Sequence, residues 1–102
     1  MKTVRVQYTT KKEYVEKNKE NIAKVMSDLR KMNNPGIKYS TFILDDGQTF
    51  MHFAVFDSEE GQKILNELDS FKKFGAELKA SGPEIAPKVD NLSLVDSCYD
   101  IF

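Results

Sequence analysis

Cysteine and histidine are almost missing from this chain, each occurring once, as Cys98 and His52. A lone cysteine closes no internal disulfide and has no second thiol for a metal cage. One histidine, one cysteine and scattered carboxylates also fall short of the ligand count for zinc or iron. There is no glycine-rich phosphate loop and no nucleophile elbow. Neither sign of charge is in excess: Lys and Arg total 15, Asp and Glu 16, and the net charge is −1. No global basic field therefore draws nucleic acid or an anionic membrane. Lysines and glutamates alternate between Lys11 and Glu20, which reads as a solvated helix face. No apolar run approaches the length of a membrane span, and the opening MKTVRVQYTT lacks the apolar centre of a signal peptide. A reducing, cytoplasmic home is expected.

What is present suits a soluble globular domain. Residues 1–102 form one expected domain, long enough to bury roughly 65% of its unfolded surface. Thr3 to Thr9 alternates Val4, Val6 and Tyr8 against Thr3, Arg5, Gln7 and Thr9, a half-apolar strand. Thr10-Lys-Lys-Glu13 has the form of a capping box opening a helix. That helix carries Val15, Ile22, Val25, Met26, Leu29 and Met32 on one stripe, and Asn33-Asn34-Pro35-Gly36 ends it. Ile37 to Leu44 and Phe50 to Phe56 are strands joined at Asp45-Asp46-Gly47-Gln48, a hairpin signal.

Asp57-Ser58-Glu59-Glu60 opens a second helix, capped by Asp57 or Ser58, with Ile64, Leu65, Leu68, Phe71, Phe74 and Leu78 facing inward. Asp69-Ser70 in its middle permits a kink or a two-piece helix. Ser81-Gly82-Pro83 stops it, and a loop with Pro83 and Pro87 leads to a fourth strand at Leu92, Leu94 and Val95. The order strand–helix–strand–strand–helix–strand predicts an α+β, ferredoxin-like βαββαβ fold. Its four-stranded antiparallel sheet carries two helices on one face, with the first and third strands central.

The third strand is apolar on both parities: Phe50, Ala54 and Phe56 point one way, Met51, Phe53 and Val55 the other. Two helices cover one side of such a sheet. The other side calls for a partner, so a homodimer with a cavity at or near the joint is expected.

The element order, the run FAVFDSEEG, and "SFKKFGAEL…GPEIAP…LSLV" between Ser70 and Val95 together resemble the dimeric α/β-barrel superfamily. Within it the chain looks like the antibiotic-biosynthesis-monooxygenase-like proteins. The resemblance covers nearly the full length and rests on size and polarity rather than on a catalytic signature. It implies two sheets facing across a dimer axis, and a pocket between each sheet and its helices or loops. It also implies a possible cofactor-independent oxygenation of an aromatic or apolar small molecule, with a non-catalytic ligand-binding or structural dimer as the alternative. Haem-degrading and quinol-oxidising members typically use an asparagine, a tryptophan and a histidine on the strands and second helix. This chain has no tryptophan, and its one histidine lies on the third strand. Haem degradation is not expected, and no cofactor is called for.

His52 heads the candidate residues, with Arg5 and Tyr39. Beside Arg5 across the ladder, and with Tyr39 or Tyr8 near, it would serve acid/base proton transfer next to a carbonyl or phenol. The plainer reading is a buried or interfacial histidine satisfied by a backbone carbonyl. Arg5, Gln7 and Thr9 form a polar row that suits cross-subunit hydrogen bonds better than ligand contacts. Tyr39, Phe42, Phe50, Phe53, Phe56, Phe71 and Phe74 would enclose a flat apolar ligand or simply form core. Tyr99, Ile101 and Phe102 are expected to dock on the partner or over the pocket mouth, and Cys98 to be a small buried side chain. RNA-recognition modules share this element order. Here Gly47 to Phe53 lacks their basic start and aromatic spacing, and the net charge is −1, so RNA is excluded as a partner.

Overall fold

The computed structural model describes residues 1–102. The chain runs β1 (Lys2–Thr9), a 3-10 turn (Lys12–Tyr14), α1 (Val15–Met32), β2 (Ile37–Ile43), β3 (Thr49–Phe56), α2 (Glu59–Glu67), α3 (Asp69–Ser81) and β4 (Ile85–Leu92). The sheet is antiparallel in the order β2-β3-β1-β4, so β1 and β3 are central. This is the expected ferredoxin-like α+β architecture. The second helix is in two pieces, broken at Leu68, whose extended backbone (ψ 125°) interrupts the helical ladder.

Cross-strand register fixes which residues share a face. Val6 pairs with His52 and Ala54 with Tyr39. Val4, Val6 and Tyr8 of β1, Tyr39 of β2, and Phe50, His52, Ala54 and Phe56 of β3 therefore lie on the helix side. Against them pack Val15 and Val25 of α1, Leu65 of α2, and Phe74 and Leu78 of α3, forming one buried core. The Cα trace measures 38 × 28 × 17 Å, the depth of a single sheet and a single helical layer. The opposite sheet face, with Arg5, Gln7, Phe42, Met51, Phe53 and Val55, carries no helix.

Local chemistry explains the boundaries. Gly47 takes the left-handed conformation (φ 71°) at the β2–β3 turn. Asp46 closes that turn by accepting the backbone N–H groups of Gln48 and Thr49 at 2.9 and 2.8 Å. Asn33 ends α1 in the left-handed region at φ 50°, which asparagine tolerates better than most residues. Four expectations are corrected. Thr10 caps no helix: it is fully buried and its hydroxyl donates to the Gln48 carbonyl at 3.4 Å, which ties β1 to the hairpin. Ser58 stands at the start of α2 without a side-chain cap bond.

The fourth strand is Ile85–Leu92, so Leu94 and Val95 fall beyond it, 51% and 98% exposed. It is an edge strand, and Pro87 sits where its register with β1 shifts between Gln7 and Thr9, a place where a missing N–H breaks no regular ladder. Cys98 is exposed rather than buried, because the tail has left the sheet. That tail folds onto its own β2 edge. Lys38 donates to the Ile101 carbonyl, and its ammonium lies 4.9 Å from the centre of the Phe102 ring.

Candidate functional site

His52 is 4% exposed in the middle of β3, on the helix side. Both ring nitrogens are engaged. Nε2 lies 2.7 Å from the Tyr8 hydroxyl, and Nδ1 lies 2.7 Å from the Tyr39 hydroxyl and 3.1 Å from Thr41 Oγ1. The strand register causes this convergence, since Tyr8, Tyr39, Thr41 and His52 all share the face towards the helices. Behind Tyr8, α1 contributes Asn18, which is fully buried and donates from Nδ2 to the Tyr8 hydroxyl at 2.9 Å.

Aromatic rings surround the imidazole. Tyr8 stacks at 5.3 Å between centroids, Phe74 lies at 5.4 Å, and Tyr39 meets it edge-on at 5.7 Å. Phe71 stands edge-on to Tyr39 in turn. Burial in this apolar shell pushes the His52 pKa down to about 4, so the ring is neutral at neutral pH. Burial likewise raises the pKa of Tyr8, and of Tyr39, where the neighbouring Tyr8 adds to the effect. Both tyrosines stay protonated. The site is a neutral hydrogen-bonded chain with no net charge inside it.

A cavity of about 460 Å³ opens beside this chain, between the sheet and α3. Tyr39 and His52 supply its polar pole, Phe71, Phe74 and Leu78 an apolar wall, and Lys79 stands at its margin. A smaller space of about 180 Å³ adjoins it and shares Val6, Tyr39, His52 and Phe71. Gly75 of α3 also lines the larger cavity, and a Cβ built there meets no atom within 4 Å. A cleft of about 490 Å³ near Met1, Ser58 and Leu92 matches it in volume, but its lining includes no aromatic ring. No group of His, Cys, Asp and Glu is arranged to hold a metal ion, and no helix is long and apolar enough to cross a membrane.

Among the three residues singled out in the sequence, the structure brings His52 and Tyr39 into direct contact and keeps Arg5 apart. Arg5 pairs with Phe53, one position out of phase with His52, so its side chain lies on the opposite sheet face and donates to Gln7 Oε1. His52 is satisfied by tyrosines rather than by a backbone carbonyl. Of the seven aromatics, Phe42 and Phe53 are on the far face, paired edge-on at 6.1 Å. Tyr39, Phe71 and Phe74 line the larger cavity, Phe56 lines the smaller one, and Phe50 is core.

Sequence reasoning missed Asn18, and with it Asn21, which is 2% exposed and donates to Glu77 at 2.6 Å. A signal existed: Val15, Asn18, Ile22 and Val25 follow the three-and-four spacing of one helical face.

No family model matches the chain, and no curated protein matches it in sequence. Solved structures match it closely in shape. An antibiotic biosynthesis monooxygenase superposes with a TM-score of 0.79 at 15% identity, over 94% of this chain and 100% of that one. A protein from Mycobacterium tuberculosis gives 0.79 at 12% identity, over 96% and 98% of the two chains. A cofactor-independent oxygenase from Streptomyces nogalater gives 0.73 at 11% identity, over 97% of each chain. The chain therefore has the ferredoxin-like fold of the antibiotic-biosynthesis-monooxygenase structures. At such identities the likeness speaks for the fold, and activity has to be argued from the site.

Proposed function

We propose that this chain is a cofactor-independent, monooxygenase-like enzyme acting on an aromatic or otherwise apolar small molecule in the cavity beside His52. The observation that carries this reading is the single polar pole, Tyr39 on His52, set in an otherwise aromatic and aliphatic wall. Such a cavity takes a flat apolar body and addresses one oxygen on it. Tyr39 and His52 would hold that oxygen and manage its proton, next to a carbonyl or on a phenol. In an oxygenation of this kind the substrate supplies the electrons. A ring CH₂ activated by the neighbouring oxygen becomes C=O, one atom of O₂ enters the product, and the other leaves as water with the two hydrogens. The fold shared with a cofactor-independent oxygenase supports the assignment by analogy.

We propose further that a second copy covers the free sheet face, making a homodimer. Phe42 is 58% exposed there beside Phe53, and Arg5 and Gln7 would serve cross-subunit hydrogen bonds. A cytoplasmic location fits the single free thiol of Cys98.

One observation favours the alternative, a non-catalytic ligand-binding or structural dimer: both nitrogens of His52 already have protein partners, as a core histidine requires. Incubation with 1-tetralone and 1,4-dihydroxynaphthalene under ¹⁸O₂ separates the two. Product carrying one ¹⁸O, formed by the wild type and lost in Y39F, supports the enzyme. Binding without any labelled product supports the alternative.

A further inference from the structure

The hydrogen bonds around His52 have a direction, and Asn18 sets it. Asn18 Nδ2 donates to the Tyr8 hydroxyl, so that oxygen is already an acceptor. Tyr8 is 1% exposed and the only other hydrogen-bond partner of its hydroxyl is His52 Nε2. With the Asn18 amide donating from Nδ2 and its buried Oδ1 turned away and unpaired, an Nε2 that also donated would leave the Tyr8 hydrogen buried with no acceptor, which costs more than a hydrogen bond contributes. The Tyr8 hydrogen therefore goes to Nε2. A neutral imidazole has one donor and one acceptor nitrogen, so Nδ1 carries the proton and donates to Tyr39, its nearer partner at 2.7 Å. Tyr39 then accepts within the protein, and its own hydrogen has no protein acceptor. The space beside it is the cavity.

We infer that Asn18, through Tyr8 and His52, aims the Tyr39 hydroxyl hydrogen into the cavity, so that the site selects ligands presenting an acceptor oxygen, aryl ketones rather than phenols. The inference rests on the proposed role of the cavity and narrows it. Asn18 touches no ligand in this arrangement; it is a positioning residue. The low basicity of His52 is consistent, because a protonated ring would donate from both nitrogens and reverse the Tyr8 bond.

Two readouts test it independently. In the protein labelled with ¹⁵N-histidine at pH 7, the imidazole spectrum should show the proton on Nδ1. In N18L both tautomers should appear, since Tyr8 is then free to accept from Nε2. A wild-type spectrum with the proton on Nε2 overturns the inference, and an N18L spectrum unchanged from wild type removes Asn18 from it.

The second readout is affinity for three bicyclic probes: 1-tetralone (acceptor only), tetralin (no polar atom) and 5,6,7,8-tetrahydro-1-naphthol (a phenol). Tetralone should bind about fivefold more tightly than tetralin, the effect of one net hydrogen bond, and Y39F should abolish that difference. Preference for the phenol overturns the ligand half of the inference. Failure of all three to bind, with the proton still on Nδ1, overturns the cavity reading while leaving the direction of the chain established by the spectrum.

Discussion

The Tyr39 hydroxyl stands 2.7 Å from Nδ1 of His52, on the edge of the imidazole away from Tyr8, which holds Nε2 at the same distance. The histidine is thus pinned between a tyrosine backed by Asn18 and a tyrosine that borders the cavity. Removing either partner has different consequences. H52A opens a hole in a packed aromatic cluster and leaves the buried Tyr8 hydroxyl without its acceptor, and should cost about 2–4 kcal/mol. Y39F keeps the ring and deletes one hydroxyl; it should cost about 1 kcal/mol while ligand affinity and turnover fall. Urea unfolding of the two variants, alongside binding of 1-tetralone, checks the contrast.

Acid should unfold this protein partly through His52. Its pKa falls from 6.5 in the open chain to about 4 in the fold, so burial favours the neutral ring. That contribution is fully present above pH 6.5. It is lost as pH falls from 6.5 towards 4, where the unfolded chain takes up a proton the folded one refuses. The full effect is about 3 kcal/mol. In H52Q the decline in stability between pH 6.5 and 4.5 should be clearly shallower, measured by urea midpoints. Asp46 adds a separate loss at lower pH, because its hydrogen bonds from Thr49 and Gln48 hold its carboxyl below the usual range.

The free sheet face makes its own prediction. F42E places a charge in the apolar pair Phe42–Phe53, which costs little in a monomer and is severe in a closed interface. Native mass spectrometry should show two chains for the wild type and one for F42E. A wild-type monomer that persists on concentration removes the dimer.

The fold was largely legible in the sequence, and the site only in part, for identifiable reasons. Alternation and turn chemistry located β1, β2, β3 and the broken helix, because each carried its own period and its own Gly, Pro or Asp stop. β4 was displaced because Pro87 and the polar Lys88, Asp90 and Asn91 look unlike a strand; an edge strand tolerates them. The face occupied by His52 was undetermined, since Met51, Phe53 and Val55 are as apolar as Phe50, Ala54 and Phe56. Nearness along the ladder suggests Arg5 as a partner of His52, whereas the pairing of Val6 with His52 puts the two on opposite faces. Asn18 looked like one more polar residue in a charged run. Its burial is recorded by the helical spacing it shares with Val15, Ile22 and Val25, but its partner, the Tyr8 hydroxyl on β1, is one that no local period records.

The most direct test of the cavity beside His52 as a ligand site is a single variant, G75L, in which melting temperature and 1-tetralone affinity are measured on the same sample. Gly75 lies within α3, lines the cavity and has open space where a side chain would go. Replacing a helical glycine by leucine should stabilise the protein by about 0.5–1 kcal/mol and raise the melting temperature, while the new side chain, standing at the rim, obstructs the cavity and weakens binding. A more stable protein that still binds the ketone as tightly as wild type would contradict the assignment of this cavity.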